Sequence, residues 1–157
     1  MSSYQDQLKG RKRSDYPYLL EYRTRWADND QYAHMNNVTY NSLYDATINT
    51  YLIENCGLRP AESTQYGLVV HSHNDYFASI SFPAVAELAL RVNKLGKSSV
   101  TYELALFEKG EEAVRSVGEF VHVFVDRDTG RPSVKGMDDT MRKGLERILH
   151  EKQESKL

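Results

Sequence analysis

The spacing of hydrophobic and polar positions switches between a period of two and a helical period as the chain is read. Leu20, Tyr22, Thr24 and Trp26 alternate with Glu21, Arg23 and Arg25, which predicts a half-buried strand over 18–26. Tyr40, Leu43, Tyr44, Thr47, Ile48 and Tyr51 then recur at three- and four-residue spacing, one face of a helix over about 37–54. Asn36 is a good N-cap type for that helix and Gly57 a good terminator. From residue 68 the period returns to two. A long strand is predicted over 68–82, ended by Pro83, followed by strands over 86–95, 100–107 and 113–125. Gly96-Lys97-Ser98 and Lys109-Gly110 separate them, and Val117, Val121, Val123 and Val125 share one face of the last. After the turn cluster Asp128-Thr129-Gly130-Arg131-Pro132, residues Met141, Leu145, Ile148 and Leu149 share one face of a short helix that starts near Asp138.

Short connections between the later strands make them antiparallel neighbours. A strand, a long helix, four strands and a terminal helix then give an α+β domain in which the helix packs on one face of a curved sheet. The other face or the edge of such a sheet needs a cover, so a homodimer or homotetramer with two-fold symmetry is expected. We place a single domain at 17–152, a flexible, solvated N-terminal tail at 1–16 and a C-terminal tail at 153–157.

Composition narrows the function classes. The chain has 157 residues, 40% of them hydrophobic, and a net charge of −2, so no global basic field calls for nucleic acid. No apolar run reaches membrane-spanning length. The single cysteine, Cys56, excludes an intramolecular disulfide and fits a reducing compartment; without a basic sequence neighbour it reads as structural.

The chemistry is concentrated between the first strand and the long helix, where Asp28, Asp30, His34, Asn36 and Asn37 fall within ten positions. A helix start offers unpaired N–H groups and a positive dipole end, so a polar knot there is a candidate active site. Taken alone, Asp30 also fits a helix cap or loop anchor.

The knot resembles the active-site segment of the hydroxybenzoyl-CoA thioesterase-like acyl-CoA thioesterases, in which an aromatic, Asp-x-Asp, a small residue, an Asn pair and a Tyr follow one another. This chain offers Trp26, Asp28, Asp30, Ala33, His34, Asn36, Asn37 and Tyr40. The 30–40 stretch is also similar to the Asp…His-x-Asn-Asn-x-x-Tyr segment of plant acyl-carrier-protein thioesterases. The element order is that of the hotdog fold, a sheet wrapped around a central helix. Two departures stand out. Ala33 occupies a position the family usually gives to Gly, and Tyr32 one where the plant enzymes carry a catalytic Asn.

The resemblance implies an acyl-CoA thioesterase that needs no metal or cofactor, CoA being part of the substrate. Asp30 would be nucleophile or general base, and the backbone N–H of Asn37 would hold the thioester carbonyl. A donor aimed at developing oxyanion charge contributes roughly 2.7–4 kcal/mol. His34 would polarise the carbonyl or bind the leaving group, or be a hydrogen-bonded loop histidine. Asn36 belongs to the substrate site, and Asp28 to the loop's internal hydrogen bonding. Lys94 and Lys97 match the place of the family's CoA-phosphate contacts, with Arg131 as a further candidate. The alternatives are a non-catalytic acyl-CoA-binding module and an enoyl-CoA hydratase-like enzyme.

Two features lie apart from this site. His71 and His73 share a strand face, but no third ligand is apparent in the sequence, so no metal site is expected. Ser155-Lys156-Leu157 reads as a peroxisomal address, which in a eukaryotic source adds the import receptor as a partner; otherwise the protein is expected in the cytoplasm.

Overall fold

A computed structural model describes residues 3–151. The Ser155-Lys156-Leu157 tripeptide lies outside the described residues. The elements are α1 (Tyr4–Lys9), β1 (Tyr18–Arg23), α2 (Asn37–Asn55), β2 (Gln65–Tyr76), β3 (Val85–Leu95), β4 (Ser99–Glu108), β5 (Val114–Asp126) and α3 (Asp139–Glu146). The five strands form one sheet in the order β1-β3-β4-β5-β2, with every neighbouring pair antiparallel. The sheet curves around α2, the hotdog arrangement.

Helix α2 begins where the sequence places it. The Asn36 side chain accepts the Val38 N–H at 2.9 Å and its carbonyl accepts the Thr39 N–H at 2.9 Å. Nineteen residues span about 28 Å. The buried stripe is Tyr40, Leu43, Tyr44, Thr47, Ile48, Tyr51 and Leu52. The helix ends at Gly57, whose φ of 72° only glycine adopts freely, with Leu58 N–H folding back onto the Leu52 carbonyl at 3.1 Å.

The stripe packs on Leu88, Leu90, Val92, Tyr102, Leu104, Leu106, Phe120 and Phe124 from the inner face of the sheet. Strand β5 turns Gly118, Phe120, His122 and Phe124 inward, so the valines that share a face in the sequence lie on the outer side. Gly118 is required there, because a Cβ would fall 2.8 Å from the Tyr44 ring and collide with Asn74. His122 is buried against Gly67, with Nδ1 3.2 Å from the Tyr102 hydroxyl. Burial pushes its pKa down to about 4.

The outer face is where the N-terminal expectation fails. Residues 1–16 read as a flexible, solvated tail, yet 4–16 are folded onto the sheet. Leu8 and Tyr16 are buried against Ala89, Ala105, Phe107, Val114 and Val117. Arg11 forks onto Glu103 at 2.9 and 3.1 Å, and Glu103 also accepts from the Tyr16 hydroxyl at 2.6 Å, Arg91 at 3.3 Å and Asn93 at 3.2 Å. Arg13 donates to the Glu111 and Glu108 carbonyls and to Glu87. The segment's partners lie far along the chain, so its own polar composition misleads.

Two strand limits also differ from expectation. β1 stops at Arg23, and Trp26–Asp28 form a 3₁₀ turn. β2 stops at Tyr76 instead of 82, because Phe77 and Ala78 both donate to the Arg115 carbonyl and the chain then leaves the ladder. β2 is an edge strand, with Leu68, Val69 and Val70 exposed.

Candidate active site

The segment from Asp28 to Asn37 is a tight loop built on the strand-to-helix junction. Asn29 and Met35 face each other as an isolated antiparallel bridge, and between them Asp30 N–H donates to the His34 carbonyl at 3.0 Å. Ala33 N–H closes the turn on the Asp30 carbonyl at 3.1 Å. Ala33 has a φ of 67°, the left-handed conformation that explains why a glycine suits this position.

Residues 80–82, which leave β2's ladder, form the floor of this loop. Met35 N–H donates to the Ile80 carbonyl at 2.8 Å, the Ser81 hydroxyl to the Ala33 carbonyl at 2.9 Å, and Phe82 N–H to the Asn29 side chain at 3.1 Å. Asp28 secures the other side. It is buried and accepts the Arg25 N–H at 2.7 Å, the Tyr22 hydroxyl at 2.9 Å and the Arg25 guanidinium at 3.1 Å. Burial pushes its pKa up, but these donors more than offset it and hold the carboxyl below the ordinary value. Asp28 is thus a structural acid that fixes the loop, in agreement with the sequence reading.

The functional groups then sort themselves by what they already bond. Oδ1 of Asp30 accepts the Tyr32 N–H at 2.8 Å, an Asx turn, while Oδ2 has no hydrogen-bond partner among the described residues. Asp30 and His34 are half-buried. At the helix start the Val38 and Thr39 N–H groups go to Asn36, and the Asn37 N–H has no acceptor among the described residues. One carboxylate oxygen and one helix N–H are therefore uncommitted on the same short loop. Together they offer a base or nucleophile and an oxyanion donor.

Sequence reasoning missed the polar groups that β2 brings to this junction. The Tyr76 hydroxyl lies 3.3 Å from the Asn37 carbonyl, its ring packs edge-on against Tyr40 at 5.0 Å, and Asn74 hydrogen-bonds Asn41. Trp26, Tyr32 and Val38 around the loop are 82%, 81% and 67% exposed and give it an apolar rim.

The basic candidates do not join the acid within the chain. Lys94, Lys97 and Arg131 are exposed and lie at the opposite end of the sheet. Lys97 sits in the β3–β4 turn, where its carbonyl accepts from Met137 and Arg142, and the Arg131 carbonyl accepts from Asp126 at the end of β5. The loop at 28–36 abuts the start of β3, and β3's eleven residues span roughly 33 Å. The histidine pair shows a further difference. Glu119 of β5 lies within reach of both His71 and His73, a third potential ligand that the sequence did not reveal.

A profile of the thioesterase-like superfamily matches residues 24–144, most of the chain. Among solved structures, the PA5185 protein of Pseudomonas aeruginosa strain PAO1 is 46% identical, with a TM-score of 0.85 over 88% of this chain and 95% of that one. The 1,4-dihydroxy-2-naphthoyl-CoA thioesterase Slr0204 from Synechocystis is 11% identical, with a TM-score of 0.73 over 82% of this chain and 94% of that one. The SAV2348 protein of Staphylococcus aureus, solved in complex with CoA, is 13% identical, with a TM-score of 0.75 over 88% of this chain and 89% of that one. No curated protein matches the chain.

Proposed function

Since this chain belongs to the thioesterase-like superfamily, we propose that it hydrolyses acyl-CoA thioesters to a carboxylate and free CoA at the loop between β1 and α2. The observation that carries the reading is the pairing of an uncommitted Asp30 oxygen with an uncommitted Asn37 N–H on one loop. The Asn37 N–H, at the positive end of a 19-residue helix, donates to the thioester oxygen and stabilises the charge that develops there. Asp30 attacks the carbonyl carbon or takes the proton of an attacking water. His34 stands beside Asp30 in the loop and serves the carbonyl or the leaving thiolate. The CoA ester, as opposed to another thioester, is suggested by the CoA bound to the Staphylococcus aureus protein and by the CoA ester named for the Synechocystis enzyme.

We further propose that a second copy completes the site. Two-fold antiparallel pairing of the free β2 edges sets the Gln65 end of one copy beside the Tyr76 end of the other. That arrangement carries Lys94, Lys97 and Arg131 of one protomer toward Asp30 of its partner and covers the exposed Leu68, Val69 and Val70.

Free-thiol release from acyl-CoA tests the chemistry. Asp30→Asn and Asp30→Ala are expected to lower kcat by about 100-fold or more, the scale of general acid–base and oxyanion contributions; unchanged release in both removes Asp30 from the mechanism. For the shared site, hybrids of Asp30→Asn with a Lys94→Glu/Lys97→Glu copy should regain activity that neither parent has. Hybrids as inactive as their parents refute the exchange of residues between copies.

A further inference from the structure

Strand β2 contains one extra residue. Val69 pairs with His122 and His71 with Val121, so Val70 is bulged out of the β2–β5 ladder. A bulge shifts the alternation of side chains by one position. Before it, Val69 shares the inner face with buried His122; after it, His71, His73 and Asp75 stand on the outer face opposite Val121, Glu119 and Val117. The bulge therefore gathers two imidazoles and two carboxylates on one patch of outer surface that the thioesterase site does not use.

The geometry points to a binding site for a divalent transition-metal ion of the zinc class, ligated by His71, His73 and Glu119. Nε2 of His73 lies 3.0 Å and Nε2 of His71 3.7 Å from the same oxygen, Oε2 of Glu119. The three ligand atoms all lie within 4.8 Å of one another. A tetrahedral ion with bonds of 2.0–2.2 Å sets its donors about 3.4 Å apart, so small rotamer adjustments close the set. A hydrogen bond needs only one imidazole on that oxygen, whereas a cation uses both nitrogens and the carboxylate. Two histidines and one carboxylate form a donor set that suits zinc and leaves a coordination position to water.

The surroundings fit a cation. Oδ2 of Asp75 lies 3.9 Å from Nδ1 of His73, the place of a carboxylate that orients a ligating imidazole through its second nitrogen. Asp75 is itself approached by the Gln5 side chain of α1. Arg11 and Arg91 are committed to Glu103, the residue opposite Glu119 on the neighbouring strand, so they leave Glu119 available. All the ligands sit on hydrogen-bonded strands, and the ion would staple edge strand β2 to β5.

The test uses the full chain without a polyhistidine tag, stripped with chelator and titrated with Zn²⁺ by calorimetry, with Co²⁺ absorption as a coordination readout. One ion should bind per chain and raise the thermal midpoint. Glu119→Gln and His73→Gln should weaken binding ~100-fold or more, and Asp75→Asn ~10-fold, as for an orienting carboxylate. The four side chains are partly exposed, so each variant is expected to keep the wild-type circular dichroism. Absence of saturable Zn²⁺ binding overturns the assignment, as does binding that persists in His71→Gln/His73→Gln.

Discussion

His122 carries a sharp pH prediction. It is buried, has the Tyr102 hydroxyl as its side-chain partner, and its pKa is pushed down to about 4 by burial, from an ordinary 6.5. The folded protein therefore refuses a proton that the unfolded chain takes up. Its stabilising effect is fully present above pH 6.5 and is lost as pH falls toward 4, because the unfolded state then binds more protons. Integrating one proton over that window gives a loss of about 2 kcal/mol by pH 5 and about 3 kcal/mol by pH 4. His122→Gln keeps an acceptor for Tyr102 and cannot titrate. Urea unfolding followed by circular dichroism at pH 8, 6, 5 and 4, at one fixed protein concentration, measures the difference between the two proteins. Contributions from Asp28 and Glu103 are common to both and cancel. The wild type should lose about 3 kcal/mol more than the variant between pH 8 and pH 4. Parallel stability curves would refute the claim that a neutral imidazole is locked in the core.

Two further substitutions probe the packing. Glu103→Leu leaves Arg91 buried without its counter-charge and releases Arg11 and Tyr16, so unfolding free energy should drop by roughly 3–5 kcal/mol, with new tryptic cleavage at Lys9 and Arg11. Gly118→Ala places a methyl 2.8 Å from the Tyr44 ring; it should cost about 1–3 kcal/mol by overpacking and, through the first turns of α2, lower thiol release at saturating substrate.

What the sequence made legible was local. Helix α2, its Asn36 cap and its Gly57 terminator depend on neighbours within a few residues, and they stand where the pattern puts them. The loop at 28–37 was visible for the same reason; at position 33 only the family resemblance singled out the residue, and its left-handed backbone comes from the structure. Everything decided by register was hidden. The bulge at Val70, the early end of β2 and the approach of Glu119 to the histidines depend on which residues face each other across the β2–β5 ladder. The docking of 4–16 on the sheet, with Leu8 and Tyr16 buried, was hidden too, since Arg11 and Glu103 are 92 positions apart. The separation of the basic residues from Asp30 belongs to the same class, because only the strand register, with Arg23 beside Val85 and Leu95 beside Val100, reveals that they occupy opposite ends.

The outer face of the sheet changes what counts as the domain. The superfamily profile begins at residue 24, after both Leu8 and Tyr16. A chain cut there keeps every residue of the β1–α2 loop beyond Arg23 but loses β1, the cover over Ala89, Ala105 and Phe107, and two of the donors to Glu103. The stretch that the profile matches and the unit that packs together thus have different borders. An N-terminal fusion partner joined near Tyr4 would sit beside Asp75 and the histidine patch, whereas changes to residues 8–16 reach straight into the packing of β3, β4 and β5.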